Sequence, residues 1–190
     1  IVHDSNKAII IDPGSDAEKI ISIIENKRLK PQLILNTHYH FDHTGANCDI
    51  KDMFNIPIAI GEKDAQFLQD SYKDAFIFMI DAKKSPQADI LLKEGDTVAL
   101  QDIKFVVIET PGHTIGSICL YNKENAVLFS GDTLFFESIG RYDLPTSNFE
   151  SLMNSINKLL ALDEDTIVYS GHGPQTTIRH EKINNPFIIK

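Results

Sequence analysis

Short apolar runs, each closed by turn-forming residues, alternate along this chain with longer stretches whose apolar positions recur every three or four residues. That alternation predicts buried strands interleaved with amphipathic helices. Ala8 to Asp12 reads as a strand closed by Pro13-Gly14. Ser15-x-x-Glu18 is a capping-box signature, and it opens a helix with Ile20, Ile21, Ile23 and Ile24 on its apolar face. A second apolar run, Leu33-Ile34-Leu35, ends at Asn36-Thr37, so the order begins β-α-β. Thr44 to Asn47 starts another helix, and Ile56 to Ile60 is a further strand. Residues 62 to 94 are polar and irregular, with Phe67, Tyr72, Phe76 and Phe78 scattered through them. They form either a wall or lid over a cleft, or an insertion packed onto the body. Glu94-Gly95-Asp96 turns into a hairpin of 97–100 and 103–108, and a second hairpin pairs 117–121 with 126–129. Ser147-x-x-Glu150, another capping-box pattern, opens a helix whose Phe149, Leu152, Met153, Ile156, Leu159 and Leu160 share one face; this spacing means core. There is no repeat, linker or low-complexity segment, so residues 1–190 read as a single α/β domain.

Length and composition narrow the classes. The 190 residues are enough for one domain with a sizeable core. A net charge of −9, with no basic stripe, argues against a nucleic-acid partner. No run approaches the roughly 20 apolar residues that a membrane span needs. Cys48 and Cys119 are too few for a zinc knuckle or a disulfide framework, and suit buried or reduced thiols of a cytoplasmic protein.

The chemistry concentrates at Thr37-His-Tyr-His-Phe-Asp-His43. In extended chain, side chains two apart point the same way, so His38 and His40 can hold one cation from one side. Asp42 and His43 follow as the chain turns, and can face a second. Imidazole with carboxylate suits zinc, iron or manganese better than calcium or magnesium. Three later apolar runs each end at a glycine beside a possible ligand. These are His113 in Thr110-Pro-Gly-His-Thr, Asp132 in Ser130-Gly-Asp-Thr and His172 in Ser170-Gly-His-Gly-Pro. Singly, each reads as well as a turn residue or a helix cap. Together with the first cluster they are the layout of strand ends converging on one cleft.

His38-x-His40-x-Asp42-His43, His113, Asp132 and His172, in that order and spacing, resemble the metallo-β-lactamase superfamily, and within it the glyoxalase II (hydroxyacylglutathione hydrolase) branch. The resemblance implies an αββα sandwich: two mixed sheets flanked by helices, with a binuclear site at one edge. It implies one metal on His38, His40 and His113, another on Asp42, His43 and His172, and Asp132 bridging them. Asp42 and Asp132 would hold the attacking hydroxide, and Asp12 would support the metal loop from behind. The implied cofactor is two divalent ions per chain, zinc first, with iron or manganese in its place. The family also implies a strand before Ile1.

The implied reaction is hydrolysis of a small-molecule thioester, glutathione-linked, such as S-D-lactoylglutathione. No Gly-x-Ser-x-Gly elbow offers a serine nucleophile instead. Arg141, in Gly140-Arg-Tyr-Asp143, matches the place where the branch puts a basic residue that grips glutathione; its other reading is a salt bridge to Asp143. Gly173-Pro174 stands where larger members have Glu-Tyr. With Glu181-x-x-x-Asn185-Pro-Phe187, it resembles the short, single-domain bacterial type. The alternatives are lactone hydrolysis, a mononuclear iron persulfide dioxygenase using His38, His113 and Asp132, and a non-catalytic binding module. Leu144-Pro145 after the Gly-Arg-x-Asp motif favours the hydrolase over the dioxygenase.

Overall fold

The computed structural model describes residues 1–77, 79 and 82–189. The chain divides into two compact units, Ile1–Leu92 with Ala99–Lys104, and Lys93–Val98 with Phe105–Lys190.

The first unit runs β1 (Val2–Asp4), β2 (Lys7–Ile11), α1 (Ala17–Asn26), β3 (Lys30–Asn36), α2 (Phe41–Thr44), α3 (Asn47–Phe54), β4 (Ile58–Gly61), α4 (Ala65–Leu68), α5 (Tyr72–Ile77) and β5 (Ile90–Leu92). Its mixed sheet has the order β1-β2-β3-β4-β5, with only β1 antiparallel to its neighbour. A central parallel strand is covered on both faces, which is why Leu33, Ile34 and Leu35 form an unbroken apolar run and are all buried. Burying each such side chain contributes about 1.5–3 kcal/mol.

Three expectations change here. The box at Ser15 and Glu18 does not form: α1 starts after Asp16, which sits at φ 52 and caps nothing with its side chain. Of the four isoleucines on α1, Ile24 is buried, Ile20 packs on the core from a half-buried position, and Ile23 is exposed. The segment 62–94 holds two short helices and an edge strand, where no regular structure was expected. Its Phe67 ring packs on Tyr39 at 5.1 Å, while Phe76 is exposed 6.0 Å from Tyr72; Phe78 lies outside the described residues.

The six-stranded sheet, formed by the second unit apart from residues 99–104 of β6 and β7, has the order β13-β12-β9-β8-β7-β6. The remaining elements are β6 (Thr97–Leu100), β7 (Ile103–Glu109), β8 (Ile118–Asn122), β9 (Val127–Gly131), the small hairpin β10 (Leu134–Phe135) and β11 (Ser138–Ile139), α6 (Phe149–Leu160), β12 (Ile167–Ser170), β13 (Thr176–Thr177) and α7 (Ile178–Asn184). Both predicted hairpins form. β7 and β9 are each antiparallel to β8, and β12 is parallel to β9. So β7, β9 and β12 run in one sense, and the loops after them leave the sheet at one edge. The cap of α6 is Asn148, which accepts from Ser151 N–H at 2.8 Å, and not Ser147. The Ser147 hydroxyl is engaged with Leu144 instead, accepting its N–H and donating to its carbonyl. Phe149 is exposed and rests on Tyr142, off the core face. No helix among the described residues is long and apolar enough to cross a membrane.

Candidate metal centre

In the first unit the ligand cluster begins just past the end of β3, and the one-turn helix α2 carries Asp42 and His43. The helix expected to start within Thr44–Asn47 is α3, from Asn47; α2 comes before it and was not expected. The ring centroids of His38 and His40 are 4.8 Å apart, and those of His38 and His43 4.1 Å. His38 and His43 are buried, whereas Asp42 is exposed.

Asp12, at the end of β2 with φ 47, organises this cluster. Its Oδ1 accepts from Thr37 N–H at 2.7 Å, and its Oδ2 faces the Thr37 hydroxyl at 2.6 Å and His43 Nδ1 at 3.0 Å. A carboxylate only accepts, so Thr37 spends its single hydroxyl proton on Asp12. The Thr37 oxygen can then only accept from His38 Nδ1, 3.1 Å away. Both rings are thereby held as Nδ1–H tautomers, with the Nε2 lone pair kept for a cation. Asp12, His38 and His43 do offer atoms within 4.8 Å of one another. With both oxygens hydrogen-bonded to Thr37 and His43, Asp12 orients the cluster.

Glycine makes this packing possible. A Cβ on Gly14 would lie 1.7 Å from the Asp42 carbonyl oxygen, and one on Gly45 would lie 2.3 Å from that of Gly14. The turn after β2 and the metal loop therefore touch backbone to backbone. From the other side, Asn36 Nδ2 donates to the His43 carbonyl at 3.1 Å, and Asn47 Nδ2 donates to Asn36 Oδ1 and Ser85 Oγ.

In the second unit, Asp132 Oδ2 stands 3.6 Å from His113 Nε2 and 3.6 Å from His172 Nε2. That is long for a hydrogen bond. Two donors each about 2.1 Å from a tetrahedral ion stand about 3.4 Å apart, so the spacing fits a shared cation. His113 is buried, and its Nδ1 lies 2.9 Å from the backbone carbonyl of Arg141. A carbonyl only accepts, so Nδ1 carries the proton and Nε2 the lone pair. His172 is exposed. Neighbouring strand ends bring Asp132 and His172 together, with Ser170 paired to Gly131 and Gly171 N–H donating to the Gly131 carbonyl at 2.8 Å.

The Arg141 side chain points elsewhere. Its Nε and Nη2 bind Asp143 at 2.9 and 3.0 Å, with both side chains mostly exposed. Hydrogen bonding to Arg141 holds the Asp143 carboxyl below its ordinary range. Sequence reasoning foresaw the Asp12 support. It missed Thr37, the Arg141 carbonyl and Gly140, where a Cβ would lie 1.9 Å from the Asp132 carbonyl oxygen. A hydroxyl directly before a candidate ligand histidine was a readable signal for Thr37; a backbone carbonyl leaves none.

Residues 1–172 match the metallo-beta-lactamase superfamily. The hydroxyacylglutathione hydrolase GloC of Haemophilus influenzae is 39% identical over 196 residues, covering 99% of this chain and 90% of that protein. The crystal structure of the BLEG-1 B3 metallo-beta-lactamase aligns at TM-score 0.93 and 41% identity, over 100% of this chain and 92% of that one. That of TTHA1623 in a di-iron-bound form aligns at TM-score 0.88 and 37% identity, over 94% and 87%. Two mixed sheets flanked by helices, a His and Asp ligand set and these likenesses agree: the chain belongs to the metallo-β-lactamase superfamily, as a metal-dependent hydrolase fold.

Proposed function

We propose that the chain hydrolyses a small glutathione thioester, such as S-D-lactoylglutathione, to a 2-hydroxy acid and glutathione. His38, His40 and His113 would hold one divalent ion and Asp42, His43 and His172 a second, with Asp132 able to serve both. The observation that carries this is Asp132 Oδ2 standing equally far from two imidazole Nε2 atoms. The GloC likeness supports the thioester, and the di-iron form of TTHA1623 supports two ions over one, with iron as well as zinc a fitting choice.

Two ions so held would supply a water acidified to near neutral pH and a Lewis acid for the carbonyl oxygen. The chain's own residues keep that centre in register. Asp12 and Thr37 fix the tautomers of His38 and His43, the Arg141 carbonyl fixes that of His113, and buried Asn36 pins the loop between them. Thiolate is a good leaving group, so a thioester needs less help from a general acid than an amide does. A reducing, cytoplasmic setting suits both glutathione and a chain whose described residues form no disulfide.

The test is turnover of S-D-lactoylglutathione by purified protein, with metals counted on the same sample, before and after chelation. Chelator-sensitive turnover with about two metals per chain is the expected result. Turnover that survives complete metal removal would sink it, and a single iron with oxygen uptake would make the protein a persulfide dioxygenase. The BLEG-1 likeness favours a chromogenic β-lactam as the second substrate to try.

Arg141 is the proposed grip on the glutathione carboxylate, exchanging Asp143 for substrate. Losing a charge-assisted contact of this kind should raise KM about tenfold with kcat little changed in Arg141→Ala. An unchanged KM would leave Arg141 as the partner of Asp143 alone.

A further inference from the structure

The Glu181-x-x-x-Asn185 pattern takes no part in metal binding, yet it places a carboxylate and an amide at full burial. Glu181 ties the two ends of its own helix to the β10–β11 turn. Its Oε1 accepts from the Thr176 hydroxyl at 2.5 Å, and its Oε2 accepts from Asn185 Nδ2 at 2.7 Å and from Glu137 N–H at 3.0 Å. Asn185 Nδ2 also donates to the Ser138 carbonyl at 3.0 Å. Next to Glu181, His180 Nε2 meets Glu137 Oε1 at 3.0 Å, and its ring stacks on Phe136 at 4.9 Å.

All of these contacts on the hairpin fall on Phe136, Glu137 and Ser138, the turn between β10 and β11. Leu134 pairs with Ile139 and Phe135 with Ser138, which leaves a two-residue loop with Glu137 at φ 51. A non-glycine residue there is strained by about 1 kcal/mol or more. The grip of α7 on its amide and carboxylate offsets that strain.

The hairpin lies between Asp132 and Arg141. Gly140 N–H donates to the Thr133 carbonyl at 3.3 Å, and Gly140 presses against the Asp132 backbone. One residue on, the Arg141 carbonyl sets the His113 tautomer. We infer that Glu181, with Asn185, is a positioning residue for the metal-binding half made by His113 and Asp132, acting through the β10–β11 hairpin. This rests on the metal-site reading above.

The test follows metal release from the purified holoprotein to a chromophoric chelator. Glu181→Ala should release metal at least tenfold faster than the parent, within the 10–100-fold range seen when ligand-supporting groups are lost. Glu181→Gln should restore slow release: its amide can donate to Thr176 while its oxygen still accepts from Glu137 and Asn185. Ile178→Ala, at a fully buried core position of the same helix, is the control for stability alone. It should lower Tm without speeding release. If Glu181→Ala does not fold, Asn185→Ala is read the same way. Parent-like release from a folded Glu181→Ala or Asn185→Ala protein overturns the inference, as does equal acceleration by Ile178→Ala. A parent that holds no metal overturns the metal reading itself, a separate outcome from either.

Discussion

Replacing Asp132 by alanine should leave about one metal ion per chain in place of about two, and lower kcat/KM on the order of 10³-fold. The reason is positional. Its Oδ2 is 3.6 Å from Nε2 of both His113 and His172, so one anionic oxygen serves two imidazoles. Without it two neutral rings remain, and the charge that balances the cations there is gone. Asp132→Asn keeps the shape and one carbonyl oxygen, and should fall between parent and alanine in metal content. Metal analysis beside steady-state kinetics reads both. If Asp132→Ala keeps both ions and most of its turnover, the shared-carboxylate arrangement is wrong.

Gly140→Ala is the second large effect, and it acts through space, not charge. The new Cβ would lie 1.9 Å from the Asp132 carbonyl oxygen and 3.3 Å from His113 Cβ. Backbone cannot swing away as a flexible side chain can, so the Asp132 turn must move. Overpacking of this severity costs about 3 kcal/mol or more, which for a chain of this size is roughly 6–12 °C in Tm. Metal affinity and turnover should fall with it, because Asp132 and the Arg141 carbonyl flank the displaced residue. Gly95→Ala is the contrast: it has open space around it but a φ of +82. It should lose stability through backbone strain and keep its metal. A Gly140→Ala protein with parental Tm and metal content would show that the close approach is not needed.

Much of the fold was legible because its causes are local. The strand runs before His38, His113, Asp132 and His172 all formed, since a short apolar run between turn residues has few other places to go. Helix starts were less legible. Both Ser-x-x-Glu boxes failed by one residue, with Asp16 and Asn148 at the caps. For Ser147 the cause is visible, since its hydroxyl is taken by the turn at Leu144. For Ser15 the structure offers no physical account. The edge strand β5 and the hairpin β10–β11 escaped notice because two or three residues carry no periodicity to read.

The sequence by itself determined the seven ligand candidates and the strand ends that bear them, because imidazole and carboxylate at strand-end spacing already state the chemistry. Only the tertiary structure decided which ring nitrogen carries the proton in His38, His43 and His113. That choice rests on Asp12 meeting His43 across 31 positions, and on the Arg141 carbonyl meeting His113 across 28. Glu181 bracing the hairpin at Glu137 spans 44. Contacts at such separations depend on the path of the whole chain. A backbone carbonyl, identical in every residue, leaves no mark in the sequence to announce them.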